Sequence, residues 1–170
     1  QAINVMLDPA DCGPAVISMS QDVQGEAYDY PEIFFEEKIH EIRRIHPDPN
    51  QIQKAADKLK QSKQPIIISG GGVLYSEAEE EISAFAKKHN IPVTATVMGI
   101  GCMNKDDPYY ISAIGCLGEG SSNNLATDTD LALAVGTKLG DFTTGSWTNF
   151  ENENFQLVSI NTSRFDTTKH

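Results

Sequence analysis

Gln64-Pro65-Ile66-Ile67-Ile68-Ser69-Gly70-Gly71-Gly72-Val73-Leu74-Tyr75-Ser76-Glu77 is the stretch that decides the fold. Three consecutive β-branched residues between Pro65 and a glycine run predict a strand buried on both faces. The chain then empties through three glycines toward a helix. Ser76 with Glu79 three residues on reads as a capping box, so that helix is expected to start after Ser76. Glycines at such a turn let backbone N–H groups approach an anion at a helix N-terminus. The spacing is neither Gly-x-Gly-x-x-Gly nor Gly-x-x-x-x-Gly-Lys-Ser/Thr, so neither the dinucleotide fingerprint nor the P-loop is matched. A plain tight strand-to-helix turn accounts for the same residues equally well.

Around this stretch the pattern is regular. Asp48 followed by Pro49 marks a helix N-terminus, and Ile52, Ala55, Ala56 and Leu59 line one helical face. A second helix carries Ala78, Ile82, Phe85 and Ala86 on one face and Glu79, Glu80, Glu81, Lys87 and Lys88 largely outside. Ile91 to Thr96 is a second strand. A long glycine-containing loop follows through Gly115, and Asn123 to Thr127 has the makings of a short helix. Leu131 to Val135 running into Gly136-Thr137 is a third strand, and Phe155 to Ile160 a fourth. Alternating strands and helices imply a Rossmann-like α/β fold with a doubly wound parallel sheet. If the third strand lies on the far side of the first, Gly70-Gly71-Gly72 and Gly136-Thr137 flank the topological switch point, where such sheets bind ligands. A side chain at Gly71 would then point into that crevice.

The beginning of the chain is different. Ala15 to Met19 reads as a short apolar strand with nothing upstream to pair with except residues around Asn4 to Leu7, and Gln24 to Asp48 has no sustained period. The expected division is 1–24 as the tail of a preceding domain, 25–47 as a linker and 48–170 as the α/β domain. A complete doubly wound domain usually continues past a fourth strand, so the domain is expected to be truncated at its C-terminal end.

Composition excludes several classes. With 39% hydrophobic and 22% charged residues and no long apolar run, the sequence suits a globular protein with neither a membrane span nor a signal peptide, and the cytoplasm is the expected compartment. A net charge of −11, without a basic patch, argues against nucleic acid as a partner. Cys12, Cys102 and Cys116 share no paired spacing with one another or with His40, His46, His89 and His170, so neither a disulfide framework nor a zinc site is indicated. No catalytic residues and no metal ligands are assigned. The acid runs Glu77 to Glu81 and Glu36-Glu37 read as solvated faces. Asp141-Phe142-Thr143-Thr144-Gly145-Ser146-Trp147 follows a buried strand at its ligand-binding end, and is either a ligand loop or an ordinary polar loop with Trp147 covering the sheet.

Ile68 to Ala78, the run Ala126 to Gly136, Asp141-Phe142-Thr143-Thr144, and Asn161-Thr162-Ser163-Arg164-Phe165-Asp166 together resemble the central domain of thiamine-diphosphate enzymes, the acetolactate synthase superfamily. Within it, the two late motifs are most similar to the ring-opening hydrolases of inositol catabolism. Gly13-Pro14-Ala15-Val16 and Gln21-Asp22-Val23-Gln24 resemble the end of the family's pyrimidine-binding domain.

The resemblance implies a parent enzyme that uses thiamine diphosphate and Mg²⁺, both bound outside this segment, to cleave hydrolytically a C–C bond of a cyclic 1,2-diketone. The segment itself is then non-catalytic and inactive alone, its partners are other domains of the same polypeptide, and homo-oligomeric assembly is implied. An acetolactate-synthase-type carboligase is the alternative within the family; a stand-alone nucleotide-binding module is the alternative outside it. In related enzymes the central domain binds FAD or ADP along turns matching Gly70, Gly71, Gly72, Gly136, Thr137 and Lys138. Here Asn161 stands where flavin-binding relatives carry an acid, and Lys138 where they usually carry Arg. Asn161 forgoes a charge-assisted bond to a ribose hydroxyl, and Lys138 lacks the bidentate guanidinium fork.

Overall fold

The computed structural model describes residues 1–170 and falls into two compact units, 1–46 and 47–170. The first holds helix α1 (Ala2–Met6), helix α2 (Gln21–Gln24) and a 3-10 turn (Glu32–Phe34). Within it Asp8 accepts from the amides of Ala10 and Asp11 at 2.9 and 3.1 Å and meets Arg43 at 3.5 Å. Tyr28, Tyr30, Phe34 and Phe35 stack on one another. No residue of this unit is buried. The strand expected at Ala15–Met19 is absent, and its expected partner around Asn4–Leu7 is largely helical. A lone strand has no neighbour for its N–H and C=O groups, so the segment runs as solvated irregular chain.

The second unit builds the sheet. Helix α3 (Pro49–Gln61) starts where the sequence says it should: the Asp48 carboxylate accepts from the Asn50 amide at 2.7 Å and Pro49 occupies the first turn. Strand β1 (Pro65–Ser69) leads into helix α4 (Gly71–Tyr75), then come helix α5 (Glu79–His89), β2 (Val93–Ala95), β3 (Tyr110–Ala113), helix α6 (Gly120–Asp128), β4 (Leu131–Val135), helix α7 (Asp141–Thr144), β5 (Gln156–Ile160) and helix α8 (Arg164–Thr168). The five strands are parallel in the order β3-β2-β1-β4-β5. β1 therefore lies between β2 and β4, and the switch point falls between β1 and β4.

Both faces of the sheet are covered. Ile67, Val93, Leu131, Leu133 and Val158 point to a layer made by α3, α5 and Val73, with Ala55, Leu59, Ile82 and Ala86 packed on it. Ile66, Ile68, Ala132 and Ala134 point the other way, against Ala126, Leu139 and the Trp147–Phe150–Phe155 aromatic group. That two-sided burial is why β1 and β4 read as continuous apolar runs.

Two expectations fail here. The loop between β2 and α6 contains an additional edge strand, β3. The capping box does not form either: Ser76 closes α4 rather than opening a helix, and α5 starts after Ala78 without a side-chain cap. The physical reason is that Gly70 is extended while Val73, fully buried, donates to the Gly70 carbonyl at 3.1 Å. The helix is thus nucleated directly at Gly71, and Glu77, in the left-handed region at φ 53°, turns the chain before α5 begins.

Candidate functional site

The two glycine turns meet at the C-terminal ends of β1 and β4, as the switch-point argument requires. They meet far more closely than a ligand crevice would allow. The Gly70 amide donates to the Val135 carbonyl at 2.8 Å, and the Gly72 amide to the Gly136 carbonyl at 2.9 Å. A Cβ placed on Gly70 would lie 2.3 Å from the Gly136 carbonyl oxygen and 2.6 Å from Thr137 Cβ. The glycines thus serve a backbone-to-backbone joint between two parallel strands.

Gly71 is turned elsewhere. Its Cβ would approach the Met98 carbonyl at 3.1 Å, on the β2 side, and its φ is not in the left-handed region. The expectation that a side chain there enters the β1–β4 crevice is therefore corrected: the first helical turn rotates Gly71 away from Gly136.

Asn161 reaches back across the site from the end of β5. Its Nδ2 donates to the Thr137 carbonyl at 3.0 Å and its Oδ1 accepts the Ser163 amide at 2.9 Å, while the Gly136 amide donates to the Ile160 carbonyl at 2.8 Å. A carboxylate at 161 could not make the bond to Thr137, because both groups would be acceptors. Thr137 is buried, and its hydroxyl accepts the Leu139 amide at 3.4 Å. Lys138 is exposed. The structure so brings Gly70, Gly72, Gly136, Thr137 and Asn161 into one bonded cluster, with Gly71 and Lys138 outside it. The amides of Gly70 and Gly72 and both ends of the Asn161 amide already have protein partners, so this donor set does not fit the diphosphate and ribose of a bound dinucleotide.

The Asp141–Trp147 segment uses its polar groups internally as well. Thr144 is buried, donates to the Gly140 carbonyl at 3.3 Å and accepts the Trp147 amide at 3.1 Å. Ser146 and Trp147 both lie at positive φ, 54° and 69°, which turns the indole onto Phe150 and His170. Nearby, the Asn123 side chain brackets the turn after β3, accepting the Gly115 amide at 2.9 Å and donating to the Gly115 carbonyl at 3.0 Å. Pairing of this kind depends on α6 folding over β3, which the sequence did not signal.

The cavities lie elsewhere. One of about 410 Å³ is lined by Glu79, Glu80, Ser83, Cys102, Asn104 and Asp107 among others. Burial pushes the Cys102 thiol above its ordinary range, partly opposed by the Ser69 hydroxyl beside it. A second, of about 580 Å³, opens at the other end of the sheet between Gln64, Asp128, Glu151 and Asn152. No group of three or more His, Cys, Asp or Glu side chains is gathered to hold a metal ion.

The topology, the switch-point joint and the Asp-Phe-Thr-Thr turn of α7 place the chain in a defined class. The family description "Thiamine pyrophosphate enzyme, central domain" matches residues 52–170, and the chain belongs to that family. It is 42% identical over 168 residues to a 3D-(3,5/4)-trihydroxycyclohexane-1,2-dione hydrolase of Clostridium botulinum, covering 99% of this chain and 26% of the relative. A hydrolase of the same name in Bacillus thuringiensis is 40% identical over 169 residues, again 99% of this chain and 26% of the relative. That of Clostridium perfringens is 42% identical over 164 residues, covering 96% and 26%. The chain thus spans about a quarter of the length of the curated relatives it matches.

Proposed function

We propose that this chain is the non-catalytic central domain of a thiamine-diphosphate-dependent hydrolase that opens a cyclic 1,2-diketone by C–C cleavage in inositol catabolism. The observation that carries the reading is an identity of 40–42% sustained along nearly the whole chain to relatives bearing that hydrolase name. Thiamine diphosphate, with Mg²⁺, supplies the electron sink for the cleavage and sits outside these residues. Residues 1–24 belong with the preceding pyrimidine-binding domain, 25–47 link it, and 48–170 form the central domain, in a cytoplasmic homo-oligomer. The absence of a buried residue in 1–46 supports that division, since such a segment needs a parent surface to cover it.

Within this reading the residues here hold shape rather than do chemistry. Gly70, Gly72, Gly136, Thr137 and Asn161 lock β1, β4 and β5 together at the ligand-binding end of the sheet. Gly71 and Lys138 are the members of the expected nucleotide set left outside that joint, and ADP or FAD is held weakly or not at all.

A chimera tests the assignment: the matching segment of the Clostridium botulinum relative is replaced by this chain and hydrolysis of trihydroxycyclohexane-1,2-dione is followed. Retained turnover is expected, with none from the chain alone. Loss of hydrolysis in a folded chimera that instead condenses pyruvate to acetolactate would transfer the assignment to the carboligase branch. A coding sequence ending at this chain's own length would favour a stand-alone module.

A further inference from the structure

The exposed apolar side chains of the α/β unit are concentrated at one end. Val97, Met98 and Ile100 follow β2, Leu117 follows β3, Phe142 lies in α7 after β4 and Phe165 in α8 after β5. All six are between 48% and 73% exposed. In a parallel sheet the segments after the strands share one edge, so these side chains form a rim along the C-terminal end of the sheet. Backbone contacts tie the rim together: the Cys116 amide donates to the Phe142 carbonyl at 2.7 Å, which sets Leu117 beside α7. The opposite end is polar, with Lys63 and Gln64 donating to the Asp130 carboxylate and Asp128, Glu151 and Asn152 around the second cavity. Single exposed apolar residues are ordinary on any protein; a run of them along one edge marks a surface that is covered.

Building on the central-domain reading, we propose that this apolar rim is the docking face for the part of the parent polypeptide that lies outside these residues. Each relative has about three quarters of its length beyond the matched region, which supplies a covalently tethered partner at high effective concentration. A second copy of the chain is the poorer occupant, because two bodies of net charge −11 repel on approach. The apolar rim also explains why the glycine joint beneath it is closed: the strand ends present a packed platform to a protein surface.

Cys116, exposed and seated in the rim, reports on the docking directly. N-ethylmaleimide labelling, read by peptide mass spectrometry, is compared between the 170-residue chain and the intact polypeptide that encloses it. Labelling of Cys116 is expected to slow by about tenfold or more in the intact polypeptide. The double variant Phe142→Ser/Phe165→Ser should leave the unfolding midpoint of the chain unchanged while restoring fast labelling in the intact polypeptide; Leu117→Ser serves if that pair fails to fold. Equal labelling rates in the two contexts would overturn the proposal. So would protection in the chain alone that grows with its concentration, which assigns the rim to self-association, or protection that disappears when a bound flavin is removed. Protection of Cys116 in a polypeptide lacking diketone hydrolysis would leave the docking standing and remove only the functional reading.

Discussion

Gly72 donates its amide to the carbonyl of Gly136 at 2.9 Å, and a Cβ on Gly136 would stand 2.6 Å from the Gly72 Cα. The contact fuses the exits of β1 and β4 where an α/β sheet would otherwise open toward a ligand. It also demands glycine on both sides, because Gly136 sits at φ 60° and a Cβ on Gly72 would stand 2.6 Å from the Gly136 Cα.

Gly136→Ala should therefore be strongly destabilising. A left-handed conformation costs an L-residue about 1–2 kcal/mol, and overpacking against the Gly72 backbone adds about 1–3 kcal/mol. Urea unfolding of the variant should show a loss of about 2–4 kcal/mol by those two terms. Gly120→Ala is the control: a Cβ there meets nothing within 4 Å, and the change should stay within about 0.5 kcal/mol. Equal stabilities for the two variants would contradict a closed joint.

Asn161→Asp separates the two bonds that the Asn161 side chain makes. The Ser163 amide keeps its acceptor, whereas the Thr137 carbonyl loses its donor and faces a carboxylate. The expected cost at neutral pH is about 1–3 kcal/mol. The deficit should narrow as pH falls through the titration of the new carboxyl, since its neutral form can donate to Thr137 again. A pH-independent deficit in urea titrations would show that the bond to Thr137 contributes nothing. Calorimetry with ADP on the same variant checks whether an acid at this position suffices to recruit a nucleotide; no saturable binding is expected while Gly70 and Gly72 donate to Val135 and Gly136.

Much of this was legible in the residues. Ile66-Ile67-Ile68 and Leu131 to Val135 declare two-sided burial because each successive side chain is apolar, and their neighbouring positions place the switch point. Asp48-Pro49 sets a helix start through a local carboxylate-to-amide bond that needs no tertiary context. β3 escaped notice because Tyr110-Ile111-Ser112-Ala113 is a short edge strand whose polar Ser112 becomes buried only when β2 lies beside it. Ser76 and Glu79 satisfy a capping pattern, yet burial of Val73 fixed the helix start earlier. The Asn161–Thr137 and Asn123–Gly115 bonds join residues brought together only by the completed sheet, so spacing along the chain carried no trace of them.

The three thiols should divide sharply. Cys12 and Cys116 are exposed, whereas Cys102 is fully buried and burial raises its pKa, which withholds the reactive thiolate. Titration of the native chain with a disulfide reagent should show two fast thiols and a third that reacts only on unfolding. Three fast thiols would place Cys102 outside the core.

Asp130 links stability to acid. The carboxylate loses some hydration by burial, which raises its pKa, but it accepts from the Ser62 hydroxyl and from the amides of Lys63 and Gln64 at 2.7 and 3.1 Å, and the net effect is a pKa below the ordinary 3.8. Because the folded value is the lower one, the unfolded chain binds the proton more readily. The contribution is fully present above the unfolded carboxylate range and is lost as pH falls through the folded pKa. These bonds tie the α3–β1 loop to the start of β4, so Asp130→Asn, which keeps one acceptor oxygen but loses the charge, should lower stability at neutral pH by about 1–2 kcal/mol. The gap between wild type and variant should close below the folded pKa. Unfolding measured from neutral to strongly acid pH checks both the size and the sign; a gap that widens toward acid would mean that the carboxylate is destabilised, not supported, by its loop.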